Sequence, residues 1–93
     1  MRGSINFYAG EIKEVSAQVR ARNPNEVVVI TKAKYSLKNI STGDTVEDGT
    51  LDVDGDTVSV ILNADKPGTF ELKFAVTVGV ETFIEKAVVH VMG

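Results

Sequence analysis

A histidine, an acidic cluster and a set of glycines are the only places where this chain of 93 residues could carry chemistry. His90 is the single histidine, and the chain has no cysteine. A nucleophilic triad or a zinc site needs a second such group, so His90, between Val89 and Val91 on a predicted strand, is expected to be a surface residue. Asp52-Val53-Asp54-Gly55-Asp56 has the alternating carboxylates that begin a calcium loop. An EF-hand also needs a glutamate at its twelfth position and flanking helices, and the chain supplies neither. Calcium held between Asp44, Asp52 and Asp56 is the one metal arrangement worth weighing, and a solvated hairpin rim is the expected alternative. No glycine-rich phosphate loop is present. The expectation is a non-enzymatic chain with no catalytic residue, no cofactor and no metal site.

Charge is segregated along the sequence. Residues 1–43 carry seven Lys and Arg against three Glu, a net +4, while residues 44–65 carry seven acids and no base, a net −7; the remainder balances, and the whole chain is at −3. The bases of the first part stand singly, and from Lys13 to Lys38 the only aromatic among them is Tyr35. That pattern predicts solvated strand faces rather than a nucleic-acid site.

The elements that must position these residues are strands. Phe70, Leu72, Phe74, Val76 and Val78 alternate with Glu71, Lys73, Ala75 and Thr77, the period of a strand with one buried and one wet face. Its inward set is expected to pack against Val19, Tyr35, Leu37, Val60 and Val89. Ile5 to Tyr8 reads as a short edge strand. Val15, Ala17, Val19 and Ala21 alternate with polar residues up to an Asn23-Pro24-Asn25 turn. Val27 to Ile30 is a continuous apolar run, expected to be buried on both faces, and it feeds the half-buried Ala33, Tyr35 and Leu37. Its lack of charge, like that of Ile5 to Tyr8, would leave a sheet edge open to partners. From Asn39 to Asp56 the composition suits weak edge strands and loops, with Asp54-Gly55 as a hairpin signal. Val58, Val60 and Leu62 form a further strand. In the last strand, Val80 to Val91, the apolar phase slips near Glu85-Lys86, which predicts a bulge there.

About seven short strands with regularly spaced turns, and no helical period, predict an all-β antiparallel sandwich; a small closed barrel is the alternative. Length and an ordinary composition, 43% hydrophobic and 25% charged, fit one domain over residues 1–93. Without disulfides it must hold by packing and strand pairing. Residues 1–4 are expected to be a vector-derived or disordered leader, and no stretch reads as a membrane span.

Asp65-Lys66-Pro67-Gly68-Thr69-Phe70 resembles the corner before the sixth strand of immunoglobulin-like domains, with Phe70 where many members carry a tyrosine. A phenylalanine can contribute only packing there, so Pro67 and the Asp65 side chain are expected to fix the corner. Antibody-type cysteines and tryptophan are absent. Together with Ala33-Lys34-Tyr35-Ser36-Leu37, Asp54-Gly55 and Val78-Gly79-Val80, these features resemble the bacterial and phage type over Val15 to Val91. The chain looks most like the small immunoglobulin-like virion proteins of phages and prophages, found in heads, necks, tails and baseplates.

That resemblance implies a structural or protein-interaction module of a virion, assembled in the host cytoplasm, with protein partners and contacts between its own copies. An immunoglobulin-like repeat of a bacterial surface or adhesive protein is the alternative. Neither reading calls for nucleic acid or a membrane as partner.

Overall fold

The computed structural model describes residues 3–20 and 27–93. Eight strands follow in order: β1 (Ser4–Tyr8), β2 (Ile12–Gln18), β3 (Ile30–Asn39), β4 (Thr45–Thr50), β5 (Asp52–Asp54), β6 (Thr57–Asn63), β7 (Gly68–Val78) and β8 (Glu81–Met92). They form a five-stranded sheet of order β1-β8-β7-β3-β4 and a three-stranded sheet of order β2-β6-β5. The two sheets make an immunoglobulin-like β-sandwich, not a closed barrel.

β7 is the centre of the larger sheet for the reason its sequence suggests. Its even-numbered residues Phe70, Leu72, Phe74 and Val76 are all buried. Each pairs with an inward residue on both sides: Tyr35 and Glu85 flank Phe74, and Leu37 and Ala87 flank Leu72. Val15, Val58, Val60 and Leu62 of the smaller sheet close the core from the other side, with Val19, Tyr35 and Leu37 partly buried against it. No polar or charged residue is buried among the described residues.

The weak region between Asn39 and Asp56 holds two edge strands, as its composition suggests, β4 on the larger sheet and β5 on the smaller, and the chain changes sheets between them at Leu51. That residue is buried, and its N–H donates to Ala33 O at 3.0 Å, so β4 and β5 are two parts of one extended segment serving different sheets. β2 begins at Ile12, three residues before the apolar alternation. Ala21 and the Asn23-Pro24-Asn25 turn lie outside the described residues, as do Met1 and Arg2.

β1 is an edge strand, but it pairs parallel with β8, Phe7 opposite Val91. Ser4, assigned to a leader, is its first residue, and Gly3 O accepts from Val88 N–H at 3.0 Å. Nor is this edge bare. Lys13 Nζ donates to Asn6 O at 2.9 Å and lies 5.2 Å from the centre of the Phe7 ring, so a lysine blunts the strand that has no charge of its own.

The Val27 to Ile30 run is neither buried on both faces nor an edge strand. Val27 and Val29 are 81% and 61% exposed, and Ile30 alone enters a strand, paired with Val78 in the interior of the sheet. The expected bulge at Glu85-Lys86 is also absent: β8 keeps one register with β7 from Glu81 to Val91. Glu81, Phe83, Glu85, Ala87, Val89 and Val91 share the inward phase, and the apparent slip arises because that phase carries acids towards the β7–β8 turn. There the residues from Glu81 to Ile84 are exposed. Register shifts fall instead on β3, near Thr31 and at Leu37/Lys38.

The corner before β7 rests on backbone bonds and packing. Ile40 N–H donates to Thr69 O at 3.1 Å, and Ala64 exchanges bonds with the β1–β2 turn, accepting from Gly10 N–H at 2.6 Å and donating to Glu11 O at 3.0 Å. Phe70 packs beneath it while Asp65 is exposed.

Candidate contact faces

A pleated strand sends its odd and even residues to opposite sides, so each sheet of the sandwich has an outer face whose composition follows from strand phase and pairing. On the five-stranded sheet the pairing sets Lys34 beside Ala75 and Ile84, Ser36 beside Lys73 and Lys86, and Lys38 beside Glu71 and Val88. Lys32 lies one step further along β3, opposite Thr77. Five lysines thus share this face with two acids, Glu71 and Asp48. Lys38 and Glu71 approach to 3.9 Å, an exposed pair worth only a few tenths of a kcal/mol, on the order of other surface pairs. Lys73 and Lys86 stand directly opposite each other, a like-charge juxtaposition that is mildly unfavourable in the isolated chain.

The outer face of the three-stranded sheet has the opposite sign. Glu14 pairs with Ile61, Ser16 and Asp52 flank Ser59, and Gln18 and Asp54 flank Thr57. Its three carboxylates, of Glu14, Asp52 and Asp54, meet no lysine or arginine in the outward phase of β2, β5 or β6. Two large apolar residues stand among them, Ile61 at 62% exposed and Ile12 at 63%. The charge asymmetry read along the chain therefore becomes an asymmetry between two faces, with a change of membership. Lys73 and Lys86, in the part of the chain that balances, join Lys32, Lys34 and Lys38 through pairing. Strand phase could have placed Lys73 outward; only topology sets Lys86 beside it.

The sequence candidates for chemistry do not converge. His90 is exposed on the outer face between Asn6 and Thr69. Asp44 lies in the β3–β4 turn, Asp52 on β5 and Asp56 in the β5–β6 turn, and no three acids or histidines among the described residues form a group able to hold a metal. Asp56 is engaged elsewhere. Its carboxylate accepts from Gln18 Nε2 at 2.9 Å, the main reason its pKa is lowered, and Thr57 Oγ1 adds a second bond at 3.2 Å. Its carbonyl accepts from Val19 N–H at 2.8 Å, so the residue ties β2 to the hairpin.

Between the sheets a cleft of about 480 Å3 opens beside β4, floored by Phe7, Leu37, Leu62 and Phe70 and rimmed by Asp44, Glu47 and Asp65. Its size suits a small ligand. Two of its polar side chains are engaged within the chain: Asn39 Oδ1 accepts from the Ser41 and Thr42 N–H groups, and Glu47 Oε2 accepts from Tyr35 Oη at 2.8 Å.

That last bond has a testable consequence. Burial, then the hydrogen bond to Glu47, then the charges of Glu47 and Asp48 push the Tyr35 phenol up to about 12. The folded state therefore holds the Tyr35 proton more tightly than the unfolded chain. Its contribution is complete below pH ~10 and is lost as pH rises from there through the folded value. In a Tyr8→Phe background, ultraviolet titration is expected to show the remaining phenolate forming near pH 12, and Glu47→Gln to bring it down. A midpoint unmoved by Glu47→Gln would show that the carboxylate does not hold the proton. Gly49 faces the same ring, where a Cβ would stand 3.2 Å from Tyr35 Cε1; its lack of a side chain lets the phenol lie across β4.

No family model matches the chain, and a search of curated proteins finds none that matches it.

Proposed function

We propose that this protein is a non-enzymatic contact module, a structural component of a phage or prophage particle that joins protein surfaces. The observation that carries this reading is the sorting of charge onto two broad sheet faces of opposite sign, each with exposed apolar residues at its middle. Flat faces of this kind suit complementary protein surfaces, because charge guides encounter and register while apolar area supplies attraction. The placement in a virion is drawn from the sequence resemblance to small immunoglobulin-like virion proteins, over Val15 to Val91. On this reading the cell surface is not its site.

Particles released by prophage induction from a cell encoding the chain, purified on a density gradient, are expected to contain it in a fixed ratio to the major capsid or tail protein. Recovery with the cell envelope alone, released by limited proteolysis of intact cells, would favour an adhesive repeat and overturn the virion reading.

A further inference from the structure

The two faces are complementary not only in sign but in layout. On the acidic face Ile61 lies on the middle strand, Glu14 stands beside it on one neighbouring strand, and Asp52 stands on the other neighbour, one row towards Ser59. On the basic face Ala75 lies on β7, Lys34 stands beside it on β3, and Lys86 stands on β8, one row towards Lys73. Strand spacing of about 4.8 Å and a two-residue step of about 6.7 Å make these triangles the same size. They also have the hand needed for facing surfaces. β2 lies on the β1 side of the sandwich, where Lys13 reaches Asn6, and β5 lies on the β3–β4 side. Laying β6 of one molecule parallel over β7 of another therefore carries Glu14 onto Lys34, Asp52 onto Lys86, and Ile61 onto Ala75.

The surface beneath Ile61 borders a recess. A shallow depression of about 490 Å3 opens on the outer face of the larger sheet, spanning from Ala75 and Lys73 on β7 across Lys34 and Ser36 on β3 to Asp48 and Gly49 on β4. Ile84, 51% exposed, stands beside Ala75. An isoleucine that is 62% exposed in the middle of an acidic sheet thus comes to lie against Ala75 and Ile84 at the rim of that recess, and the like-charged pair Lys73 and Lys86 gains a counter-charge.

We propose that copies of this chain stack face on face, the acidic outer face of the three-stranded sheet of one copy seated on the basic outer face of the five-stranded sheet of the next. The inference rests on the contact-module reading above and names its partner as a second copy. Because the two faces differ, the contact is heterologous and leaves one face open at each end, so it propagates. Successive copies are related by a half turn, offset by the roughly 30° at which twisted sheets pack, with a rise of about 20 Å for two sheet-to-sheet spacings. The smaller face limits the contact. Its strands of seven, seven and three residues cover about 270 Å2 per partner, below the roughly 800 Å2 of a standard interface, so the pair is weak and salt-screened, and depends on high local concentration.

The test is light scattering over a concentration series in low and in 0.5 M salt (~4 Å Debye length), on the intact chain and two charge-reversed forms, Lys34→Glu with Lys86→Glu and Glu14→Lys with Asp52→Lys. Circular dichroism checks that each form is folded. The intact chain is expected to grow in mass with concentration at low salt and to lose that growth at high salt. Each reversed form alone should associate about tenfold or more weakly, and an equimolar mixture of the two should recover assembly, since every contact in an alternating stack then joins unlike charges. A monomer under all conditions, undiminished association of either reversed form, or a mixture that stays monomeric would each overturn the stacking. None of these results bears on the particle assay, which tests the contact-module reading through whatever partner the virion supplies.

Discussion

Phe74→Ala is expected to lower the stability of the folded chain by about 3 to 5 kcal/mol, whereas Thr77→Ala, three residues along the same strand, is expected to cost under about 1 kcal/mol. Phe74 has no exposed surface and sits on β7 between Tyr35 and Glu85, with the smaller sheet above it. Truncation there removes the ring's transfer free energy and leaves a cavity that surrounding strands, held by their ladders, can fill only in part. Thr77 points to the other face, where its hydroxyl shares a 3.1 Å exposed hydrogen bond with Thr82. A domain of this size without disulfides has about 5 to 10 kcal/mol in all, so the first change takes away much of it. Urea denaturation at an unchanged m-value is the measurement. Equal small shifts of the two midpoints would refute the face assignment, because a one-residue slip of β7 exchanges its buried and wet sides.

Phe7→Ala is expected to cost a similar amount, about 3 to 5 kcal/mol, and to do so with a local signature. Phe7 is 1% exposed and is the one fully buried side chain of β1, which is otherwise held by the partly buried Ile5, by the Lys13 bond to Asn6 O and by its parallel ladder to β8. With the ring gone the strand loses its anchor, and Lys13 loses the aromatic face beneath its ammonium. Hydrogen exchange is therefore expected to quicken first at Val88, whose N–H donates to Gly3 O at 3.0 Å, and at Ala9, whose N–H donates to Met92 O at 2.7 Å. Tyr8, on the outward side at 64% exposed, is the control, and Tyr8→Ala should cost under about 1 kcal/mol. Unchanged protection at Val88 and Ala9 in Phe7→Ala would show that β1 is held by something other than its phenylalanine.

What could be read without coordinates was whatever depends on neighbours in the chain. The two-residue period of a pleated strand is local, so Phe70 to Val78 declares both its conformation and its buried face, and Val58, Val60 and Leu62 do the same. Turn chemistry is local as well: Gly55 and Gly79 both adopt positive φ at their hairpins, where an L side chain would be strained. Hence the all-β class and most of the core were legible, including Val60 and Val89 as partners of β7.

Coverage and pairing are not local, and they are fixed by how the strands assemble. An apolar run such as Val27 to Val29 has the composition of a core strand, yet burial requires another element above it, and none of the described strands supplies one. β8 seemed to slip its phase because Glu81 and Glu85 lie on its inward side, where its turn end is no longer buried. β1 joins the sheet parallel to β8, more than 80 residues away along the chain, which no period can announce. Lys34, Lys73 and Lys86 become one basic face only through the order β3-β7-β8, and Leu51 carries the acids of β5 to the other sheet. The sign of each segment was therefore a property of sequence, while the opposition of two charged faces, on which the proposed contacts depend, is a property of strand order, because pairing sets which distant residues share a surface.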